Sequence, residues 1–165
     1  MTIDAAAAPM KRANPLARFT SALFGIVPIS LTMLALRFAL AVPFWKSGMT
    51  KWDGWFTLSF GAQQLFVDEF KIHWFGALYD FPYPQLMAML SALGETILPV
   101  LLVFGLATRY AALGLLFMTA IIEFTVPDGW ANFHLPWASM ALAIMTFGPG
   151  KIALDNLLGL DRSRA

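Results

Sequence analysis

The chain has 165 residues, 59% hydrophobic and only 13% charged, a balance far outside that of soluble domains. A soluble protein of this size hides only about two-thirds of its surface, so the apolar excess must be solvated by lipid, which excludes the soluble and disordered classes. A net charge of +1 with scattered Lys and Arg argues against a nucleic-acid footprint, and the absence of cysteine excludes disulfide exchange, thiolate catalysis and iron–sulfur ligation.

At the N-terminus the alanines at 5–8 precede the basic residues Lys11, Arg12 and Arg18, the reverse of a cleavable signal. Residues 15–27 mix Arg18, Thr20 and Ser21 with Leu16, Phe19, Leu23 and Phe24 ahead of Pro28, which predicts a helix lying in the membrane interface. A span needs about 20 apolar residues, because about 30 Å of hydrocarbon is crossed at about 1.5 Å per residue. Four stretches qualify, at 29–48, 86–106, 110–126 and 133–147, the last being short enough to require a thinned bilayer or an aromatic end in the interface. The expected fold class is therefore all-α: a polytopic membrane protein with a four-transmembrane-helix bundle and a helical outer loop.

Lys11, Arg12, Arg18, Arg109, Lys151, Arg162 and Arg164 fall on one side of these spans, and the positive-inside rule puts them, with both termini, in the cytoplasm. The expected organisation is a cytoplasmic N-terminus and interfacial helix at 1–28, the bundle at 29–148 with a periplasmic loop at 49–85, and a cytoplasmic tail at 149–165. This describes a multi-pass protein of the bacterial inner membrane. Within the loop, residues 62–71 set Leu65, Phe66 and Phe70 on one helical face, with Asp68 and Lys71 pointing away, as an interfacial amphipathic helix would. All six tryptophans (Trp45, Trp52, Trp55, Trp74, Trp130 and Trp137) map to the outer side with Tyr79 and Tyr83. An aromatic belt explains them, but their one-sidedness points to an aromatic lobe folded over the bundle mouth. Gly148-Pro149-Gly150-Lys151 stops the fourth span.

Ionisable residues inside spans are costly unless paired or wetted. The chain has Arg37, Lys46, Glu95, Glu123 and His134 there. Counting about 1.5 Å per residue from the inner helix ends places Arg37 and Glu95 near the midplane and Lys46 and Glu123 in the outer third, with His134 beside them. Two ion pairs are expected, Arg37 with Glu95 and Lys46 with Glu123. They serve either to fix helix register or as a functional cluster, to which Thr119 can add a hydroxyl. Pro43 and Pro99 lie inside spans and are expected to kink them. A bis-histidine haem is disfavoured because His73 falls in the outer loop. A metal on Glu123, Asp128 and His134 is disfavoured because no dense ligand spacing supports it. No phosphate-binding glycine loop or nucleophile–base motif is present, and the nine methionines read as packing.

An ordered set of short motifs resembles the DoxX family. It comprises Leu36-Arg37, Phe44-Trp45, Ser47-Gly48 with Lys51, Gly94-Glu95 leading to Leu98-Pro99, Phe104-Gly105-Leu106-Ala107-Thr108-Arg109, His134-Leu135 with Trp137, and Gly148-Pro149-Gly150-Lys151 with Leu154-Asp155. The resemblance covers 31–158 and implies a four-helix inner-membrane protein, related to the small DoxD-type subunit of thiosulfate:quinone oxidoreductase. It carries over Arg37 and Glu95 as buried charged positions and Lys51, Arg109 and Asp155 as end-of-helix positions.

Two functions follow as expectations. In the first, a subunit of a membrane redox system binds a quinone or similar apolar ligand at the periplasmic mouth. Arg37, Lys46, Trp45 and Trp137 would bind it, Glu95, Glu123 and His134 would move protons, and a membrane or periplasmic protein partner would exchange electrons. In the second, the same charges hold together a non-enzymatic scaffold, or a metal- or solute-handling component, that docks a periplasmic partner. Whether the chain is an enzyme stays open between them.

Overall fold

A computed structural model describes residues 14–161. The expectations for residues 5–8, Lys11, Arg12, Arg162 and Arg164 lie outside the described residues. A short helix α1, Pro15–Phe24, opens on Asn14, whose side-chain oxygen accepts the Leu16 N–H, with Pro15 in the first turn. No side chain of α1 is buried. Four longer helices follow: α2, Ile29–Met49; α4, Pro84–Phe104; α5, Thr108–Thr125; and α6, Leu135–Phe147. Among the described residues, α2 and α4 are the two helices long and apolar enough to cross a membrane. The shorter α6 is preceded by a π-helical turn, Trp130–His134. Pro43 and Pro99 lie inside α2 and α4, and neither ends its helix.

The four helices pack in a ring, α2 on α4, α4 on α5, α5 on α6, and α6 back on α2. Their shared core is Met33, Leu40, Phe44, Leu102, Leu115 and Ile144, filled in by Ala41, Ala111, Ala112 and Ala141. Small residues bring the axes close, which is how helices associate where lipid offers no hydrophobic drive. At the α4–α5 crossing a Cβ on Gly94 would lie 2.8 Å from the Met118 sulfur, and one on Gly114 2.8 Å from a Leu98 methyl. Large apolar side chains including Phe38, Val42, Ile97, Leu113, Phe117, Ile121 and Phe124 stand exposed on the outer surface of the ring.

α2 and α4 are antiparallel but not flush. A Cβ on Gly48 would lie 2.8 Å from the Glu95 carbonyl oxygen, so the last turn of α2 meets α4 eleven residues after Pro84. About 16 Å of α4 therefore projects beyond the end of α2. The segment between them covers that projection. It comprises a two-stranded hairpin of β1 (Trp52–Gly54) and β2 (Thr57–Leu58), the short helix α3 (Phe60–Gln64), a π-helical turn Leu65–Glu69, and a second hairpin of β3 (Lys71–Trp74) and β4 (Ala77–Asp80). Phe66, Phe81 and Ala88 form the lobe's own small core, with Phe66 edge-on to Phe70 at 5.2 Å.

Two expectations for this loop are corrected. It is part helix and part hairpin, and the 62–71 helix is replaced by α3 and the π turn, with Phe70 already extended and Lys71 in β3. The Lys71 ammonium bonds to Asp80 at 2.6 Å across the β3–β4 hairpin that follows the helical run. At the other end of β3–β4, Trp74 pairs with Ala77, and the two residues between them, Phe75 (φ +47°) and Gly76 (φ +81°), form a left-handed turn matched to the strand twist. For a residue with a Cβ such as Phe75 that conformation costs about 1–2 kcal/mol.

The opposite end of the ring is closed by the residues after α6. Gly148 (φ +87°) ends α6, and the chain turns back through Pro149 and Gly150 to α7, Leu154–Leu157. Asp155 on α7 caps a helix far from it in sequence. Its carboxylate accepts the backbone N–H groups of Ala107 and Thr108 and the Thr108 hydroxyl, each at 2.7 Å, where α5 begins. Its own N–H donates to the Gly105 carbonyl at 2.8 Å. Asp155→Asn keeps the shape but loses acceptor capacity, and is expected to lower stability by about 1–3 kcal/mol, read as a fall in thermal midpoint in detergent.

Candidate functional site

The intramembrane charges find partners different from those expected. Arg37 does not meet Glu95. Its side chain, 2% exposed, runs along α2 to the tail end of the ring and donates to four carbonyls. Nε bonds Leu102 at 2.9 Å and Nη2 bonds Val103 at 2.6 Å, both in the last turn of α4. Nη1 bonds Pro149 at 2.9 Å and Ile152 at 2.7 Å. A helix C-terminus presents carbonyls without intrahelical partners and a negative dipole end, and a guanidinium offers several donors in one plane, so the cation is held without a carboxylate. Gly105 makes room, since a Cβ there would lie 3.0 Å from Nη1. Four of the five Arg37 N–H donors are thereby engaged by backbone carbonyls.

Glu95 pairs with Lys51 instead. Two residues past the end of α2, Lys51 folds back so that its ammonium lies 2.5 Å from Glu95 Oε2 and 3.0 Å from the Ser47 hydroxyl. Ser91 donates to the other Glu95 oxygen at 3.0 Å, and the Trp52 indole N–H donates to Thr96 at 2.9 Å. Both members of the ion pair are buried. The stagger of α2 against α4 produces this pairing, because it sets Glu95 level with the end of α2 and not with its middle. Lys51 also lines a cleft of about 420 Å³ with Ser59, Phe60, Leu65 and Glu69 from the covering lobe. An ammonium has three donors, and Ser47 and Glu95 take two of them.

Glu123 pairs with His134 and not with Lys46. The imidazole Nδ1 lies 2.6 Å from Glu123 Oε2, joining the last turns of α5 to the π turn before α6. Lys46 is exposed on α2 and makes no ion pair among the described residues. The ring of His134 is buried against Gly129, where a Cβ would lie 2.6 Å from it, and against Trp137 at 5.5 Å. Trp137 in turn meets Phe44 at 5.1 Å, whereas Trp45 is turned to the outer surface. The Thr119 hydroxyl is donated to the Leu115 carbonyl at 2.7 Å, so it is not available to Glu123. Asp128 is exposed and stands apart from the Glu123–His134 pair, and among the described residues no group of three acidic or histidine side chains is arranged to hold a metal ion. His73 lies in β3, its Nδ1 3.2 Å from the Phe124 carbonyl oxygen.

Of the sequence-derived candidates, Glu95, Glu123, His134 and Trp137 lie toward the lobe end of the ring, Trp45 and Lys46 are exposed at the same end in the last turns of α2, and the Arg37 side chain reaches the tail end. Lys51 was singled out only as an end-of-helix position. The signal for it is local: Ser47 and Lys51 are four residues apart, across the turn in which α2 ends at Met49.

The DoxX family model matches residues 32–128. A protein of Haemophilus influenzae described as uncharacterized is 29% identical over 143 residues, which is 78% of this chain and 83% of its own length. No solved structure matches the chain significantly.

The two pairings predict distinct mutational behaviour. Glu95→Leu is expected to lower folded yield by stranding the Lys51 ammonium, and Lys51→Met combined with it should recover part of the loss, because contacting groups are not additive. Arg37→Leu and Glu95→Leu act at opposite ends and should add. Yield and thermal midpoint in detergent measure both cycles.

Proposed function

The chain belongs to the DoxX family of membrane proteins, and from that premise we propose that it is a four-span inner-membrane subunit that binds a quinone or a similarly apolar acceptor at the lobe end of its bundle. In this reading the units are an N-terminal segment with an interfacial helix at 1–28, a bundle at 29–148 and a tail at 149–165. α5 crosses the bilayer with α2 and α4, and α6 does so with the π turn before it. Lys and Arg at the tail end support cytoplasmic termini under the positive-inside rule, with the lobe facing the periplasm. Fusion of a reporter after Ala165 is expected to give a signal in its cytoplasmic form only, and activity in its periplasmic form would overturn this topology.

The observation that carries the ligand reading is Lys51, a residue of an open cleft whose buried ammonium is held between Ser47 and Glu95. A cation fixed in position with one N–H left over is suited to a carbonyl oxygen of an otherwise apolar ligand, and the apolar walls supply Phe60 and Leu65. Lys51 thus takes the role first expected of Arg37 and Lys46, with Glu95 holding it in place. Glu123 and His134 form a carboxylate–imidazole pair of the kind that exchanges protons, and Trp137 packs on the imidazole. Electrons come from a membrane or periplasmic partner, since the chain holds no redox motif of its own.

A scaffold that docks such a partner without binding a ligand is the second reading. It is favoured by one observation: among the described residues no fully buried side-chain nitrogen or oxygen lacks a hydrogen-bond partner. Mass spectrometry of the protein purified in mild detergent separates the two. Quinone is expected to co-purify with the natural chain and with Lys46→Met and to be lost from Lys51→Met. A natural chain free of small molecules would overturn the ligand reading in favour of the scaffold.

A further inference from the structure

Hairpin β3–β4 carries an unusual load for a two-stranded element. All four residues of β4 are exposed, Phe75 at its tip is 93% exposed, and Trp74, Leu78 and Tyr79 are each more than half exposed. Isolated two-stranded hairpins are marginal in water, and this one displays an apolar tip and spends a phenylalanine on a left-handed turn position where asparagine or glycine would fit without strain. Its charges lie at the other end. Lys71 and Asp80 close the base, so polarity falls along the hairpin from a paired base to an aromatic tip about 10–13 Å away.

The position of that tip identifies what covers it. The lobe is seated on α4 through α3 and the π turn and reaches α5 through β3. There the His73 imidazole bonds the Phe124 carbonyl, and the Trp74 ring packs on Phe124 at 5.5 Å and on Phe75 at 5.0 Å. Phe124 ends the exposed apolar surface of α5 that includes Phe117 and Ile121. Phe124, Trp74 and Phe75 thus extend that surface outward from the helix, as one continuous aromatic patch. Tryptophan and tyrosine rings favour the membrane interface, where an apolar body meets a polar rim.

We propose that β3–β4 is a lipid anchor: its tip, Trp74-Phe75-Gly76-Ala77-Leu78, inserts into the bilayer interface beside α5 while the Lys71–Asp80 base stays at the water boundary. The anchor ties the covering lobe, and with it the cleft that Lys51 lines, to the membrane surface beside α5. It rests on α5 crossing the bilayer, and the experiment tests that separately.

The natural sequence has no cysteine, so Phe75→Cys, Ala77→Cys, Phe117→Cys and Asp68→Cys each give a unique site for an environment-sensitive fluorophore. The full chain is reconstituted in phosphatidylcholine–phosphatidylglycerol vesicles with and without lipid carrying a spin label near the headgroup end of its acyl chains. Fluorophores at 75 and 77 are expected to shift to the blue and lose most of their emission to the spin-labelled lipid. The one at 117 should lie deep in lipid, and the one at 68, on the exposed side of the lobe, should stay water-like. Ala77 lies outside the left-handed turn, so its variant reports even if Phe75→Cys disturbs the hairpin. Quenching at 117 with water-like emission at 75 and 77 overturns the anchor and leaves the span intact. Water-like emission at 117 overturns the span and the anchor with it. Shielding at 75 and 77 that ignores the lipid label and tracks the protein-to-lipid ratio overturns it in favour of a second copy of the chain.

Discussion

The structure is organised around the Arg37 guanidinium. Four carbonyls from two separate segments converge on it, the last turn of α4 and the turn after α6. One side chain on α2 therefore fixes where α4 stops and where the tail returns. With the tail held there, Asp155 stands over the first turn of α5 and satisfies its N–H groups. The negative end of one helix and the positive end of the next are neutralised within a few residues of each other, by a cation from one side and a carboxylate from the other. Glycine at 105 is required because both the guanidinium and Ala153 approach its Cα too closely for a side chain, and its left-handed conformation turns the chain into α5.

Fixing the tail end leaves the other end uneven. α4 extends past α2, and its projecting turns need a cover that also satisfies the end of α2. The lobe supplies it with a core of its own around Phe66, and Lys51 folds down onto Glu95. A carboxylate buried in an apolar bundle is costly alone and tolerable with an ammonium and a serine hydroxyl on its two oxygens. The two ends thus solve the same problem by different means. The tail end uses backbone carbonyls around a cation and the lobe end an ion pair, whose lysine also lines a cleft under the lobe.

The outside of the ring follows from the solvent. Alanines and glycines face the helix contacts, while phenylalanines and branched residues stand outward. In water that arrangement would be inverted; in lipid it is favourable, because outward apolar side chains cost nothing and inward small ones allow the close approach that gives packing its strength. The lobe's exposed aromatic hairpin continues the outward surface of α5 and fits the same solvent.

The residues alone determined that the chain is solvated by lipid, where its apolar helices begin and end to within a few positions, and which ionisable groups are buried within them. Four of the five intramembrane candidates are at least partly buried; Lys46 is not. Which groups meet was decided only by the tertiary structure. Depth counted from each helix's own end assumes flush helices, and the offset of α2 against α4 moves Glu95 from beside Arg37 to beside Lys51. Arg37, Lys51 and His134 were further placed by segments whose course no periodicity encodes: the return of the tail after Gly148, the turn after Gly48 and the π turn before α6. A period reports which face of a helix is apolar, whereas the partner of a charge depends on the axial offset between helices and on the chain that joins them.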